Sequence, residues 1–307
     1  MPSLLVKLPN WMGDILFSYD LLYSLSRHFD RIAVCTSSQF RELFEIFPVP
    51  RTTVIAYAPE SWPHWDPETI HEIEDFRADA GLLLPNSIGA ALALRWAGVS
   101  KLYGYDTERR DFLLAGALKP PGYRIHQTDY FLRLLNLFGI SETLYPAPAA
   151  AQRERTVVIH PGASKKERAW HLERFLEIAK GLQERGVNVQ FVSGEKIHAG
   201  DFPVLVRPSL WEFTELLRKS SLFIGNDSGP LHLAQQCGTP VVGIYGPGDP
   251  KVTGPRPISL ARVVYHSFPC SPCRQRYFRE CDPSENGKPF CIERITVNEV
   301  LRICAQM

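Results

Sequence analysis

The chain has 307 residues, 45% of them hydrophobic and 22% charged, with 34 basic against 33 acidic side chains for a net charge of +1. This length supports two globular domains, and so even a charge balance gives no ground for a nucleic-acid partner. Met1 to Lys7 reaches Pro9 and Asn10 too soon for a signal-peptide core, and no run of about 18 apolar residues follows, so the expected location is the cytoplasm, with peripheral contact at the inner face of a membrane left open.

In chain order, Leu4 to Leu8 reads as a buried strand, Asp14 to His28 as an amphipathic helix and Arg31 to Cys35 as the next strand. Further strands are predicted at Thr53 to Ala56, Ala80 to Leu84 and Lys101 to Tyr105, with helices at Pro67 to Arg77, Ile88 to Ala97 and Gln127 to Phe138. A Pro- and Ala-rich piece then interrupts the pattern, predicting a linker at about 146–151 between domains at 1–145 and 152–307. Alternation resumes with strands at Arg155 to Ile159, Asn188 to Val192, Val204 to Val206, Leu222 to Ile224 and Val241 to Tyr245, and with helices at Leu172 to Arg185 and Leu210 to Lys219. The predicted fold class is therefore α/β, two Rossmann-like doubly wound domains facing across a cleft, with ligands at the carboxyl ends of the strands.

Several turns carry chemistry. Between Leu222-Phe223-Ile224 and the helix that follows, Gly225-Asn226-Asp227-Ser228-Gly229-Pro230 forms a strand-to-helix turn: Asp227 and Ser228 suit N-capping, Gly229 admits a ligand to the backbone, and Pro230 needs no N–H. Such a turn is an anion site, although the same residues are also ordinary turn formers. His232, in the first turns of that helix, is a candidate donor. Asp14, at a helix start after the opening strand, reads either as a first-turn or capping carboxylate or as a general base. The loop Gly162 to Trp170 holds Lys165, Lys166 and Arg168, enough cationic charge to neutralise a diphosphate, with Ser164 as a hydroxyl donor. Glu195, at the tip of the Asn188 to Val192 strand, suits the hydroxyls of a ribose. Cys270, Cys273, Cys281 and Cys291 make a C-x2-C-x7-C-x9-C array able to hold zinc or iron structurally; reduced or crosslinked thiols are the other reading.

Gly225 to Ala234, with Met12-Gly13-Asp14-Ile15-Leu16, Leu84-Pro85-Asn86-Ser87 and His160-Pro161-Gly162-Ala163-Ser164 in the same order, resembles the heptosyltransferases, glycosyltransferase family nine, and is most similar to the heptosyltransferase II branch. The resemblance implies the glycosyltransferase B fold, an ADP-heptose donor held by the C-terminal half and a lipopolysaccharide inner-core or related glycan acceptor held by the N-terminal half. It implies Asp14 as the catalytic carboxylate, Arg168 where the family usually has a lysine, and a donor set of Gly13, Ser164, Lys165, Glu195, Asp227, Ser228, Gly229 and His232. On the acceptor side it points to Asn86 and Ser87, with Arg109, Arg110, Arg124 and His126 as a nearby basic set. Inverting transfer needs one base and no cofactor. The alternatives are a related sugar-nucleotide transferase with a protein or small-molecule acceptor, a sugar-nucleotide epimerase of similar fold, and a non-catalytic nucleotide-sugar sensor.

Overall fold

A computed structural model describes residues 2–61, 65–148, 152–271 and 273–307, and the chain divides into two compact units, Met1–Pro146 and Ala147–Met307. Of the predicted linker, residues 149–151 lie outside the described residues, as does Pro272 in the cysteine array.

In the first unit the strands are β1 (Ser3–Lys7), β2 (Arg31–Ser37), β3 (Thr52–Tyr57), β4 (Ala80–Leu83), β5 (Leu102–Tyr105) and β6 (Gly116–Leu118). They form one parallel sheet in the order β3-β2-β1-β4-β5-β6. β1 is buried at every position, as a central parallel strand covered on both faces must be. The helices are α1 (Met12–Phe17), α2 (Tyr19–Ser26), α3 (Glu42–Ile46), α4 (Pro67–Phe76), α5 (Ile88–Trp96) and α6 (Gln127–Leu132). The helix predicted over Asp14 to His28 is broken in two at Ser18, whose hydroxyl donates to the Ile15 carbonyl at 2.7 Å and draws it from the helical ladder. The one predicted from Gln127 to Phe138 changes character at Arg133 and tightens into 3₁₀ turns.

In the second unit β7 (Glu154–His160), β8 (Asn188–Ser193), β9 (Val204–Val206), β10 (Ser220–Asn226), β11 (Val241–Tyr245) and β12 (Ala261–Tyr265) form a second parallel sheet, in the order β12-β11-β10-β7-β8-β9. Its helices are α7 (Leu172–Gln183), α8 (Leu210–Lys219), α9 (Gly229–Gln236), α10 (Pro250–Thr253), α11 (Phe290–Glu293) and α12 (Val297–Cys304). The core beneath the sheet joins Val157 and Ile159 of β7, Phe191 of β8 and Ile224 of β10 to Phe175 and Ile178 of α7 and Val300 of α12.

Both sheets reverse strand order once, between β1 and β4 in the first and between β7 and β10 in the second. At such a switch point the loops leaving the two central strands turn to opposite sides and open a crevice at the carboxyl edge, where open α/β sheets take their ligands. The turn before Asp14 and the loop through Asn86 leave one switch point; the loop through Arg168 and the turn at Asp227 leave the other.

Candidate active site

At the second switch point, the pairing of Gly225 with His160 sets the ends of β10 and β7 side by side. Fully buried Asn226 exploits this: its amide nitrogen donates to the carbonyls of Pro161 at 2.7 Å and Gly162 at 3.3 Å, and its oxygen accepts the Trp170 N–H at 3.0 Å. One side chain thus ties down both ends of the 161–170 loop. His160, half-buried at the end of β7, has its pKa lowered to about 4 by desolvation and is therefore neutral at physiological pH. The sequence reading assigned roles to neither residue.

The loop's Arg168 forms an ion pair with Asp227. The carboxylate is 4% exposed and the guanidinium 19%. Thr253 of α10 donates its hydroxyl to the other Asp227 oxygen at 3.3 Å. Burial pushes the Asp227 carboxyl above the ordinary carboxylate value, and Arg168 opposes that push by favouring the charged form. The fit is close, because a Cβ at Gly248 would stand 2.0 Å from an Asp227 oxygen, so the second glycine of the Gly246 to Asp249 loop is required by contact. Among the described residues the Arg168 Nε is buried with no partner, a donor the protein itself does not use.

This arrangement corrects the expected capping. Asp227 faces Arg168 and Thr253, and Ser228, although at the N-cap position of α9, makes no capping bond; its hydroxyl donates back to the Asn226 carbonyl at 3.2 Å. The first turn of α9 therefore keeps backbone N–H groups that no capping side chain satisfies, with Gly229 leading and Pro230 behind it, a geometry suited to an anion. His232 is buried one turn further along. Glu195 is exposed just past β8, the neighbour of β7, with its N–H donating to the Ser193 hydroxyl at 3.3 Å.

Ser164 and Lys165 are exposed on the same loop, and the Lys165 ammonium lies 5.4 Å from the centroid of the Tyr277 ring. Tyr277 belongs to the cysteine-bearing segment, which braces the loop at further points: Lys288 donates to the Lys166 carbonyl at 2.7 Å, and Glu293 accepts from His171 at 2.6 Å and from Arg174 at 2.6 Å. Cys270, Cys273, Cys281 and Cys291 line one cavity of about 210 Å³, all four are free thiols, and the Gln275 N–H donates to the Cys273 sulfur at 3.2 Å. Burial raises the Cys291 thiol to about 12, with the other three cysteines adding to the rise. In donor type and common lining the four fit a soft structural metal, yet among the described residues no three His, Cys, Asp or Glu side chains converge closely enough to hold one.

At the first switch point, Asp14 is half-buried in the first turn of α1, where Trp11 is the N-cap; Asp14 is thus not the capping residue. Gly13 precedes it in the same turn. On the other side of the switch, Ser87 caps α5 by accepting the Ala90 N–H at 3.4 Å, and Asn86 accepts the Tyr130 hydroxyl at 3.1 Å. Arg110 is removed from the basic set suggested for an acceptor: it is fully buried and donates to the carbonyls of Pro85 at 2.7 Å, Ser87 at 2.9 Å and Tyr105 at 3.0 Å, bracing the 85–87 loop from below. His126 likewise caps α6, accepting the Thr128 N–H at 3.2 Å. Arg109 and Arg124 are exposed.

Comparison with known proteins agrees with this architecture. The chain is 23% identical over 302 residues to lipopolysaccharide heptosyltransferase 2 of Escherichia coli, covering 82% of this chain and 85% of that one. The solved ADP-heptose lipopolysaccharide heptosyltransferase II of E. coli superposes with a TM-score of 0.75 at 22% identity, over 99% of this chain and 98% of that one. The iron-containing dodecameric glycosyltransferase TibC of enterotoxigenic E. coli shares the fold at a TM-score of 0.63 and 16% identity, over 99% of this chain and 76% of that one. Residues 68–281 match the model of glycosyltransferase family 9 (heptosyltransferase), and with that match over most of its length the chain belongs to this family.

Proposed function

We propose that this protein is an inverting transferase moving heptose from ADP-heptose to a hydroxyl of a lipopolysaccharide inner-core acceptor. Family membership supports the reaction class, and the names of the E. coli relatives supply the donor and acceptor. The observation that carries the reading is the Arg168–Asp227 pair at the β7–β10 switch point, a fixed cation beside the uncapped start of α9. There the diphosphate would meet Arg168, Lys165, Ser164 and the N–H groups at Ser228 and Gly229, with His232 nearby and Glu195 on the ribose. Asp14 takes the proton of the acceptor hydroxyl, whose oxygen attacks the anomeric carbon opposite the diphosphate. The bond from that carbon to the diphosphate oxygen breaks, and ADP leaves with the electron pair while Arg168 offsets its growing charge. The first unit, through Asn86 and Ser87, would hold the acceptor. Because lipid-borne glycans lie at membranes, the protein would work in peripheral contact with one; no helix among the described residues is long and apolar enough to cross it.

Ligand that binds only the folded protein stabilises it by about 2.7 kcal/mol at 100-fold over Kd. ADP should therefore raise the melting temperature clearly and UDP much less. A larger rise with UDP would instead favour a different sugar nucleotide and the epimerase reading.

The reaction needs no metal, and a structural role for one is the second part of the proposal. A zinc or iron held by Cys270, Cys273, Cys281 and Cys291 would draw the lining of their cavity together. Elemental analysis should find about one metal per chain, and chelation should lower the melting temperature because metal binding is coupled to folding. Chelation should also weaken ADP binding, since Lys288 and Tyr277 hold the Lys165–Arg168 loop. Metal-free protein with four freely alkylated thiols and full stability would exclude the metal.

A further inference from the structure

Lys7, the last residue of β1, is fully buried at the centre of the first sheet. Packing gives no reason for a cation there, since Leu4, Leu5 and Val6 fill the rest of the strand and a methionine would fill its end equally well. The ammonium's partners supply the reason. It donates to the Leu8 carbonyl at 2.6 Å, to the Tyr57 hydroxyl at 2.9 Å and to the Asn10 side-chain oxygen at 3.3 Å, and lies 4.8 Å from the Tyr57 ring centroid. Tyr57, at the end of β3, donates its own hydroxyl to the same Asn10 oxygen at 2.8 Å. Two buried donors from separate strands thus grip an otherwise exposed asparagine from below. Asn10 immediately precedes Trp11, whose carbonyl accepts the first helical bond of α1 from Ile15 at 3.0 Å, and Asp14 lies within that turn.

We propose that Lys7 is a positioning residue for glycosyl transfer: with Tyr57 it locks the Leu8–Asn10 turn through Asn10 and so fixes where α1 presents Asp14. This rests on the reading of Asp14 as the base. A general base must sit within hydrogen-bond reach of the hydroxyl it deprotonates, so a turn free to shift by an ångström costs rate while leaving donor affinity alone. Titration offers a second readout. Burial lowers the Lys7 pKa to about 8. Among the described residues, the titratable groups acting on it or on its partners include the Cys35 thiol of β2, raised to about 12, and the Tyr57 phenol of β3, also raised, while Glu72 of α4 acts on Cys35; β4 contributes only apolar residues. Between pH 8 and 10, Lys7 is thus the member of this cluster that loses its proton.

The test is Lys7→Met, alongside Asp14→Asn, assayed by ADP release from ADP-heptose with a lipopolysaccharide-core acceptor. Lys7→Met should fold, bind ADP with wild-type affinity and stoichiometry, and lose roughly 10²-fold in kcat at unchanged donor KM. The wild-type decline in kcat above about pH 8 should be missing from the variant. Asn10→Ala should show the same loss in kcat, and the double variant should be no worse than the poorer single one, as residues acting as a unit behave; if Lys7→Met fails to fold, Asn10→Ala alone carries the test. Full kcat in Lys7→Met or Asn10→Ala while Asp14→Asn is inactive overturns the positioning role. An active Asp14→Asn overturns it by another route, by removing the base that Lys7 would position.

Discussion

Asp14→Asn is expected to cut turnover by roughly 10²–10⁴-fold, the usual contribution of a positioned general base. The substitution keeps the shape of the side chain and removes its basicity. Because Trp11 is the N-cap of α1, Asp14 is not the capping residue there, and losing the favourable interaction of a first-turn carboxylate with the helix dipole should cost about 0.3–1 kcal/mol of stability. ADP affinity should stay near wild type, since the groups proposed to hold the diphosphate belong to the other unit. Steady-state kinetics, a thermal melt and ADP calorimetry on the same preparation separate these effects. Near-full activity in Asp14→Asn would mean that the carboxylate serves only the helix, and the base would have to be sought elsewhere.

What could be read from the sequence follows from how local each signal is. Central parallel strands such as β1, β7, β10 and β11 are short apolar runs that burial on both faces demands, and the sequence shows them directly. Two of the four edge strands escape such reading: β6 is three residues including Gly116, and β12 follows a proline-rich stretch and is only partly buried. The break at Ser18 is invisible because the apolar spacing continues on both sides of it. At the site, strand-to-helix turns mark Asp14 and Asp227 as candidates. Their partners are another matter. Asn226 reaches Pro161 across 65 residues, and Arg168 reaches Asp227 across 59, so both links depend on the pairing of β7 with β10. In the sequence Lys7 is only one residue of the buried strand Leu4 to Leu8, and Arg110 one of a basic set on the acceptor side; only the position of β1 in the sheet and the burial of the 85–87 loop reveal what each one holds.

Arg168→Ala should do two separable things. In kinetics it should lower kcat/KM by roughly 10²–10³-fold, the scale seen when one fixed stabiliser of developing charge is removed, with donor binding weakened as well because the diphosphate is already charged before the bond breaks. In stability it should cost up to about 3–5 kcal/mol at neutral pH, because the Asp227 carboxylate stays buried without its cation. The sign of the pH dependence distinguishes this from a simple loss of packing. Burial already raises the Asp227 pKa above its unfolded value, and removing Arg168 takes away the opposing influence and raises it further. A carboxyl with a raised folded pKa binds its proton more tightly in the folded state, so its penalty is full above that pKa and is relieved as pH falls through it. The gap in melting temperature between wild type and Arg168→Ala should therefore narrow as the buffer is taken from pH 8 down through the raised Asp227 pKa. Adding Asp227→Asn to Arg168→Ala should recover much of the lost stability, because the uncompensated charge is gone, while leaving activity low. A gap that stays constant across this range, or a double variant no more stable than Arg168→Ala, would show that Asp227 is not held as a carboxylate by Arg168, and Arg168 would then lose its claim to be a fixed cation poised for the diphosphate.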